Sequence, residues 1–222
     1  MASGRRKVEN PATARRILAA AEQHFAAQGM AGARTDEIAA DAHANKAMLY
    51  YYFGDKRRLH RAVLENMFRQ LRKGVIAAPP AAGTPLENLK AIVSAYFEFL
   101  ASHPNYPRLV HREAMERTKN FDWIVRGYLR PFHERVVRII QEGVKQGEFR
   151  PVDADDMAFT AMGMTTSYFA AAPILSVIAG RDLLSPASVA RRKEAILSFI
   201  EHGLESERAT RQKGRSQTVR AE

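Results

Sequence analysis

Apolar residues recur at helical spacing along almost the whole chain. The first segment runs from Thr13 to Gln28 and is followed by Gly29, and its apolar positions lie three or four residues apart: Ile17, Leu18, Ala21 and Phe25. The same spacing predicts further helices over 57–77, 85–102, 104–119, 122–146, 153–179 and 186–205. No alternating run is long enough to predict a strand. The predicted fold class is therefore all-α.

Two short helices are predicted between the first and the next long one. Thr35 is a suitable N-cap for a helix through "DEIAADA", which ends near His43. Asn45 is a suitable cap for a second short helix that runs through Tyr52. The sequence therefore predicts three helices in close succession before the longer ones begin.

The segment "AAPPAAG" at 77–83 is the clearest linker, because proline and glycine interrupt both helices and strands. It divides the chain into a smaller and a larger part. The predicted organisation is a flexible basic arm (1–11), a three-helix module (12–60), a connecting helix (61–78), a larger helical bundle (84–205) and a disordered polar tail (206–222).

Charge narrows the choice of partners. The 222 residues carry 34 Lys and Arg against 24 Asp and Glu, a net charge of +10, which favours nucleic acid, an acidic protein or a lipid surface. Cysteine is absent, which excludes disulfides, thiolate metal sites and thiol nucleophiles. The N-terminal residues include no apolar stretch of the kind found in secretory signals. We therefore expect a cytoplasmic protein.

One uncharged segment, Met157–Ala179, is long enough to cross a bilayer. Its six hydroxyl-bearing residues, together with Gly163 and Pro173, argue against a membrane span, and no basic flank orients it. A helix that is apolar nearly all round is also typical of the centre of a soluble bundle or of a subunit interface. We expect this second arrangement and no membrane partner.

The stretch "NKAMLYYYFGDK" (45–56) holds three tyrosines and a phenylalanine in a row. On a helical wheel, Leu49 and Phe53 fall on one side and can be buried. Ala47 and Tyr51 point the opposite way, and Met48 and Tyr50 flank them. This aromatic face is left without a partner by the preceding helices. A short helix, a tight turn and a second helix with an exposed face together predict a helix-turn-helix.

The exposed face has the chemistry that duplex DNA requires. Tyrosine fills space with its ring while its hydroxyl reaches a phosphate oxygen or a base edge. Ala47 lets the backbone approach the major groove, and Lys46 and Lys56 supply positive charge at the two ends. The alternative is that the tyrosines only pack within the three-helix module, although Leu49 and Phe53 already provide that packing.

The stretch from "TARRILAAAEQHF" to "RAVLENMF" resembles the DNA-binding domain of tetracycline-repressor (TetR-type) regulators. The matching pieces are Thr35, Ile38 and Ala39, the turn 42–45, and the run Lys46, Leu49, Tyr50, Tyr52, Phe53 and Lys56. The resemblance implies that Lys46, Ala47 and Tyr50 lie near bases while Thr35, Tyr52 and Lys56 hold phosphates. Met48 and Tyr51 complete the expected reading face.

Two positions depart from the family pattern. His43 stands where the family has glycine at a turn that needs positive φ, and histidine tolerates that conformation better than a β-branched residue does. Met48 stands where a small hydroxyl residue commonly touches a phosphate. One expected backbone contact is therefore missing.

The resemblance continues through "IIQEGVKQGEFRPVDADDMAFTAMGM" and implies a C-terminal domain that dimerises and binds a small molecule. It implies a homodimer through helices near 153–179 and 186–205. The candidate ligand-binding residues are Phe97, His111, Met115, Trp123, Tyr128, Met162, Thr166, Tyr168 and Phe169. The alternative for the aromatic and methionine positions is that they only pack in the core. The alternative for "HREAME" is a solvent-facing helix surface with an Arg112–Glu116 ion pair.

The sequence shows no signature of an enzyme. It contains no phosphate-binding loop, no H-E-x-x-H spacing and no nucleophile elbow, and Glu113 and Glu116 have no Glu-x-x-His partner for a metal site. We therefore expect no enzymatic activity, no cofactor and no metal. The favoured interpretation is a homodimeric, ligand-responsive repressor that binds a palindromic operator in double-stranded DNA. A DNA-binding protein without small-molecule control and a membrane-anchored helical module remain alternatives.

Overall fold

A computed structural model of the chain describes residues 11–77 and 83–206. The predictions for residues 1–10, for most of the 77–83 linker and for the tail from 207 onward lie outside the described residues. Over the described part, the chain forms two compact units, made of residues up to 70 with 105–121, and of 71–104 with 122 onward. The regular structure is helical, as predicted, and an isolated bridge between Phe149 and Glu205 is the exception among the described residues.

The first unit begins with four helices: α1 (Pro11–Gly32), α2 (Thr35–Asp41), α3 (Lys46–Phe53) and α4 (Lys56–Leu71). A fifth helix, α6 (Tyr106–Glu116), joins them from later in the chain. Asn105 donates a hydrogen bond to Glu22, and the ring of Tyr106 lies 5.8 Å from that of Phe68. Residues 105–121 therefore pack with the N-terminal helices although α5 (Pro85–Ser102) lies between them in sequence.

The predicted end of the first helix at Gly29 becomes a kink. α1 continues to Gly32, but Gly29 adopts φ 72°, ψ 174° within it. A Cβ at this position would lie 3.0 Å from Nη1 of Arg112, whose Nη2 donates to the carbonyl of Ala27. Glycine is needed here both for the left-handed φ and for the close approach of α6.

Local capping signals in this unit are mostly as predicted. The side chain of Asn45 accepts a hydrogen bond from the backbone of Met48 at 2.8 Å and so caps α3. His43 adopts φ 48°, the positive value expected at this turn. The prediction for Thr35 was wrong, because Arg34 occupies the N-cap of α2 and Thr35 is its first helical residue. The hydroxyl of Thr35 therefore does not cap α2.

The second unit contains α5 (Pro85–Ser102), α7 (Phe121–Ile124), α8 (Arg130–Lys145), α9 (Ala154–Ala170), α10 (Ala172–Ala179) and α11 (Pro186–Leu204), and five-residue π-helical segments follow α4 and α7. α5 begins at a capping box in which Thr84 and Glu87 bond each other's backbone N–H groups. The helices α5, α8, α9 and α11 pack on one another around the core. Phe149 lies against Gly143, where a Cβ would come 2.2 Å from the phenyl ring.

The prediction of one continuous helix over 153–179 was wrong. The chain breaks at Ala171 and the two helices meet at 73°. Pro173 occupies the first turn of α10, where its missing N–H and its ring prevent continuation of α9. Among the described residues, no single helix is long and apolar enough to cross a membrane, and α9 and α10 meet the length and composition test only as a bent pair.

Candidate nucleic-acid interface

The exposed surface of α3 in the first unit is the candidate interface. Leu49 is fully buried and anchors the helix against the core of the unit. Tyr50 and Tyr51 are 41% and 47% exposed, and Lys46 and Ala47 are exposed beside them. The turn from Ala42 to Asn45 places this face outward, since His43 and Ala44 donate back to the carbonyls of α2. α2, the turn and α3 have the order and spacing of a helix-turn-helix.

The remaining predicted residues of the run lie closer to the protein. Met48, Tyr52 and Phe53 are half-buried. The ring of Tyr52 meets those of Tyr51 and Phe53 edge to face, with centroids 5.2 Å and 6.4 Å away. This aromatic row holds Tyr51 in place while leaving much of it accessible.

Lys46 is already paired in the protein. Its Nζ lies 2.8 Å from Oδ1 of Asp36 on α2. The hydrogen bond to Lys46 lowers the pKa of the Asp36 carboxyl, and the same contact raises the pKa of Lys46. Lys46 is the first residue of α3, where the helix dipole disfavours a cation and the first turn holds no acidic residue. Asp36 therefore provides the negative charge that α3 lacks in sequence.

Thr35 and Tyr50, which the resemblance gives to different partners, lie next to each other. Their hydroxyl oxygens are 3.5 Å apart, at the limit of hydrogen-bond distance. Both hydroxyls therefore point to the same side of the unit, between α2 and α3. A single group on a DNA duplex can contact both hydroxyls.

Lys56 caps the end of α1. Its Nζ donates to the carbonyls of Ala31 and Ala33 at 3.0 Å and 2.8 Å. These carbonyls belong to the C-terminal end of α1, where the helix dipole favours a cation. The predicted phosphate ligand thus has a structural role in the free protein.

Sequence reasoning missed two residues that position this surface. Asp36 is an acidic residue in the first turn of α2, and Arg16 lies on α1. Nε of Arg16 donates to the carbonyl of Ala42 at 3.0 Å and ties α1 to the turn before α3. The acidic first turn of α2 is a signal for Asp36, but no local pattern identifies the partner of Arg16.

The predicted ligand-binding residues fall in different places. In the second unit, the Phe97 ring lies 6.1 Å from that of Tyr168 and 4.9 Å from that of Phe169, and all three are buried. Thr166 shares a 2.9 Å hydrogen bond with Tyr96, and Met162 is half-buried on the same helix. Phe97, Tyr168 and Phe169 are therefore buried side chains, and Met162 and Thr166 lie half-buried.

Trp123 and Tyr128 form a separate edge-to-face pair in the second unit, with centroids 5.2 Å apart. His111 and Met115 belong to the first unit and are exposed, Met115 by 72%. They line a surface cleft of about 440 Å³ together with Arg108 and Arg112. The predicted ligand residues are therefore divided between the two units.

On α6, the side chain of Glu113 is buried, whereas its neighbours in sequence are half-buried or exposed. Glu113 accepts from Thr118, and its Oε1 lies 3.5 Å from Nε2 of the buried His60. Burial raises the pKa of Glu113 and lowers that of His60 to about 4. The expected Arg112–Glu116 ion pair is absent from the described residues, because Arg112 donates to Ala27 instead.

Comparison with known proteins identifies the two parts of the chain. Residues 17–63 match the model of "Bacterial regulatory proteins, tetR family", and residues 85–200 match that of "Tetracyclin repressor-like, C-terminal domain". The second match alone spans more than half of the chain. Both matches agree with the resemblance inferred from "NKAMLYYYF" and the helices around it.

Individual relatives of the chain are also transcriptional regulators. The chain is 38% identical over 105 residues to the HTH-type transcriptional repressor SCO4008 of Streptomyces coelicolor, a match over 47% of this chain and 51% of that protein, about half its length. It is 25% identical over 202 residues to the HTH-type transcriptional regulator RutR of Escherichia coli K12, covering 91% and 95% of the two chains.

A solved structure shares the fold. AibR, crystallised with isovaleryl coenzyme A and operator DNA, superposes with a TM-score of 0.69 at 19% identity, over 84% of this chain and 97% of that one. The two family matches are consistent with the helix-turn-helix and with its exposed aromatic face. The chain belongs to the TetR family and is a helix-turn-helix, DNA-binding regulator of transcription.

Proposed function

We propose that this regulator is a cytoplasmic repressor that binds a palindromic operator as a homodimer and is released from it by a small-molecule effector. The observation that carries the proposal is the outward face of α3, where Lys46, Ala47, Tyr50 and Tyr51 are exposed while Leu49 is buried. This face offers a hydroxyl, an ammonium and a small apolar side chain to the major groove.

In this proposal the residues divide into two roles. Lys46, Ala47, Met48, Tyr50 and Tyr51 read bases, and Thr35, Tyr52 and Lys56 hold phosphates. The adjacent hydroxyls of Thr35 and Tyr50 support a phosphate contact at the border of the reading face. Residues 12–60 then form the reading module and 61–78 the connection, and 84–205 form the dimerisation and effector domain apart from 105–121, which pack with the first unit.

Exposed apolar side chains on the second unit support the homodimer. Phe159 on α9 is 61% exposed and Phe199 on α11 is 63% exposed, on the two helices predicted to form the interface. Large apolar side chains left in water at such positions favour burial against a second copy. A twofold dimer would present two α3 helices about 34–36 Å apart in the commonest geometry, and hence require a palindrome.

Release by an effector is supported by the fold. AibR, which shares it, was crystallised with both isovaleryl coenzyme A and operator DNA. An effector that binds one conformation of the dimer more tightly shifts the population away from the spacing that fits the operator. The competing function is DNA binding without small-molecule control, in which no ligand changes operator affinity.

The test is selection of binding sites from a random duplex library by the full chain, with sedimentation of the protein and of its complex. We expect an enriched palindrome and a complex of two chains per site. The matched control is the variant Tyr50→Ala, Tyr51→Ala, which should lose enrichment yet keep its fold and mass. Salt-sensitive binding without an enriched motif, or an enriched single half-site, would overturn the proposal.

The selected duplex then tests effector control. Anisotropy titrations of the operator against a library of small metabolites should identify at least one compound that lowers affinity tenfold or more, as expected for about 1.4 kcal/mol of coupling. Failure of every compound, with operator binding intact, would favour the competing function.

A further inference from the structure

Three arginines of the second unit line one surface cleft. The cleft has a volume of about 530 Å³ and lies between the last turns of α9, α10 and the first half of α11. Its basic lining consists of Arg181, Arg191 and Arg192, and Ser167, Tyr168 and Ser188 add hydroxyl groups. The volume is within the range of small-molecule sites.

These arginines form no ion pair within the described part of the chain. No carboxylate of residues 11–77 or 83–206 lies within ion-pair distance of any of the three. The nearby Asp182 carboxylate instead accepts from the backbone N–H of Leu184 at 2.8 Å. Nε of Arg192 is buried and hydrogen-bonds to no atom of the described residues. A buried donor without an acceptor is costly, so an acceptor arriving from outside would relieve it.

Tyr168 fixes the floor of the cleft. Its hydroxyl donates to the carbonyl of Leu183 at 2.5 Å, and the guanidinium carbon of Arg192 lies 5.5 Å from its ring centroid. Burial raises the pKa of Tyr168, the positive charges of Arg192, Arg191 and Arg181 oppose that rise, and the negative charge of Asp182 adds to it. All three arginines are thus close enough to act electrostatically on one hydroxyl.

The opposite wall is apolar. Leu175, Ile178, Ala179 and Leu183 line the cleft from α10 and the loop after it, and Ala195 lines it from α11. An inorganic anion would use the arginines and leave this wall exposed to water. A molecule with an anionic head and an apolar body would satisfy both halves.

We propose that this cleft binds an amphipathic anion, a phosphate ester or carboxylate on an apolar chain, with its head on Arg181, Arg191 and Arg192 and its chain against α10. Guanidinium groups are suited to this because they pair with carboxylate and phosphate oxygens in a planar, bidentate manner. The cleft adjoins the surface assigned to the homodimer, because Arg191 lies on the same helix as Phe199 and Ser167 on the same helix as Phe159. The proposal therefore requires the cleft to stay open at the edge of that interface, and an effect on DNA would in addition rest on the proposed function.

The test is calorimetric titration of the full-length protein with decyl phosphate and with decanoate below their micellar concentrations. Inorganic phosphate and 1-decanol supply the head and the chain alone. We expect saturable binding of at least one of the two amphiphiles, and binding of each separate part at least tenfold weaker. The relative affinity of decyl phosphate and decanoate then identifies the head group.

Arg181→Gln combined with Arg191→Gln should weaken binding of the preferred amphiphile at least tenfold, because both side chains are exposed and their loss removes two positive charges. Arg192→Lys, which keeps the charge but not the planar group, should weaken it less. Arg130→Gln is the matched control: Arg130 is exposed in the same unit outside the cleft, and binding should be unchanged.

Two results would overturn the proposal. One is equal binding by the wild type and the double variant, or no binding by either. The other is a change of sedimentation mass in the double variant without amphiphile binding by the wild type, which would assign the arginines to an interface between two copies. Operator titrations keep the two proposals separate, because loss of amphiphile binding with intact operator binding overturns the cleft alone.

Discussion

The ammonium of Lys46 lies 2.8 Å from the carboxylate of Asp36, so the first residue of α3 is already paired with an opposite charge in the free protein. A phosphate or a guanine must compete with this carboxylate for the lysine. The pair therefore opposes binding to any duplex, because Lys46 must leave Asp36 before it contacts DNA.

Replacement of Asp36 by Asn should strengthen binding to non-specific duplex by about two- to fivefold, the range expected for one exposed ion pair. The variant releases Lys46 and removes a negative charge from the face of the unit. Fluorescence anisotropy at several salt concentrations measures the change. Asp41→Asn on the same helix is the control, since Asp41 pairs with His24 instead. An equal gain from both variants would show that net charge alone is responsible.

Replacement of Tyr50 by Ala should cost operator binding about 1–3 kcal/mol and leave non-specific binding nearly unchanged, because a base contact distinguishes sequences. Tyr50→Phe keeps the ring and removes only the hydroxyl that lies next to Thr35. Titration of operator and scrambled duplexes separates the two contributions. A parallel loss on both duplexes would assign Tyr50 to the phosphate backbone.

Replacement of Lys56 by Met should lower the free energy of unfolding by about 1–2 kcal/mol, because two carbonyls at the end of α1 lose a charged donor. If Lys56 also holds a phosphate, the salt dependence of DNA binding falls by about one unit of slope. Urea unfolding and salt titrations measure the two effects. Arg57→Met removes the charge of an exposed neighbour and should leave the free energy of unfolding nearly unchanged.

The buried His60 should make stability fall on acidification. Its pKa is lowered from 6.5 to about 4, so between these values the unfolded chain binds a proton that the folded chain does not. The stabilisation is complete above pH 6.5 and decreases as the pH falls towards 4. The loss of stability between pH 7 and pH 5 amounts to about 2 kcal/mol.

Glu113 acts in the opposite direction, because its raised pKa favours the folded state as the pH falls. The difference between the wild type and His60→Gln therefore isolates the histidine. Urea unfolding of the two proteins at pH 7 and pH 5 should show a loss about 2 kcal/mol larger in the wild type. Identical losses would indicate that the pKa of His60 is the same in the folded and in the unfolded chain.

Replacement of Phe199 by Glu should raise the dissociation constant of the proposed dimer at least about tenfold, because a charge would be buried in place of an aromatic ring. Sedimentation at decreasing concentration measures the constant. Met115→Glu is the matched control, since Met115 is equally exposed but lies in the first unit. An unchanged constant for Phe199→Glu would exclude α11 from the interface.

Local interactions made much of this protein predictable from sequence. The cap at Asn45 and the positive φ of His43 each depend on residues within one helical turn. The alternation of buried Leu49 with exposed Tyr50 and Tyr51 follows from helical periodicity alone. For this reason the fold class, the helix-turn-helix and its outward face could all be inferred before the structure was known.

Contacts between distant segments were decided only by the tertiary structure. No local pattern pairs His60 with Glu113, gives Lys56 the end of α1, or gathers three arginines around Tyr168. Long polar side chains choose partners according to which helices pack together, and that packing depends on buried apolar surface summed over the whole chain. The helix periodicity thus determined which residues face outward, and the packing of the helices determined which of them meet.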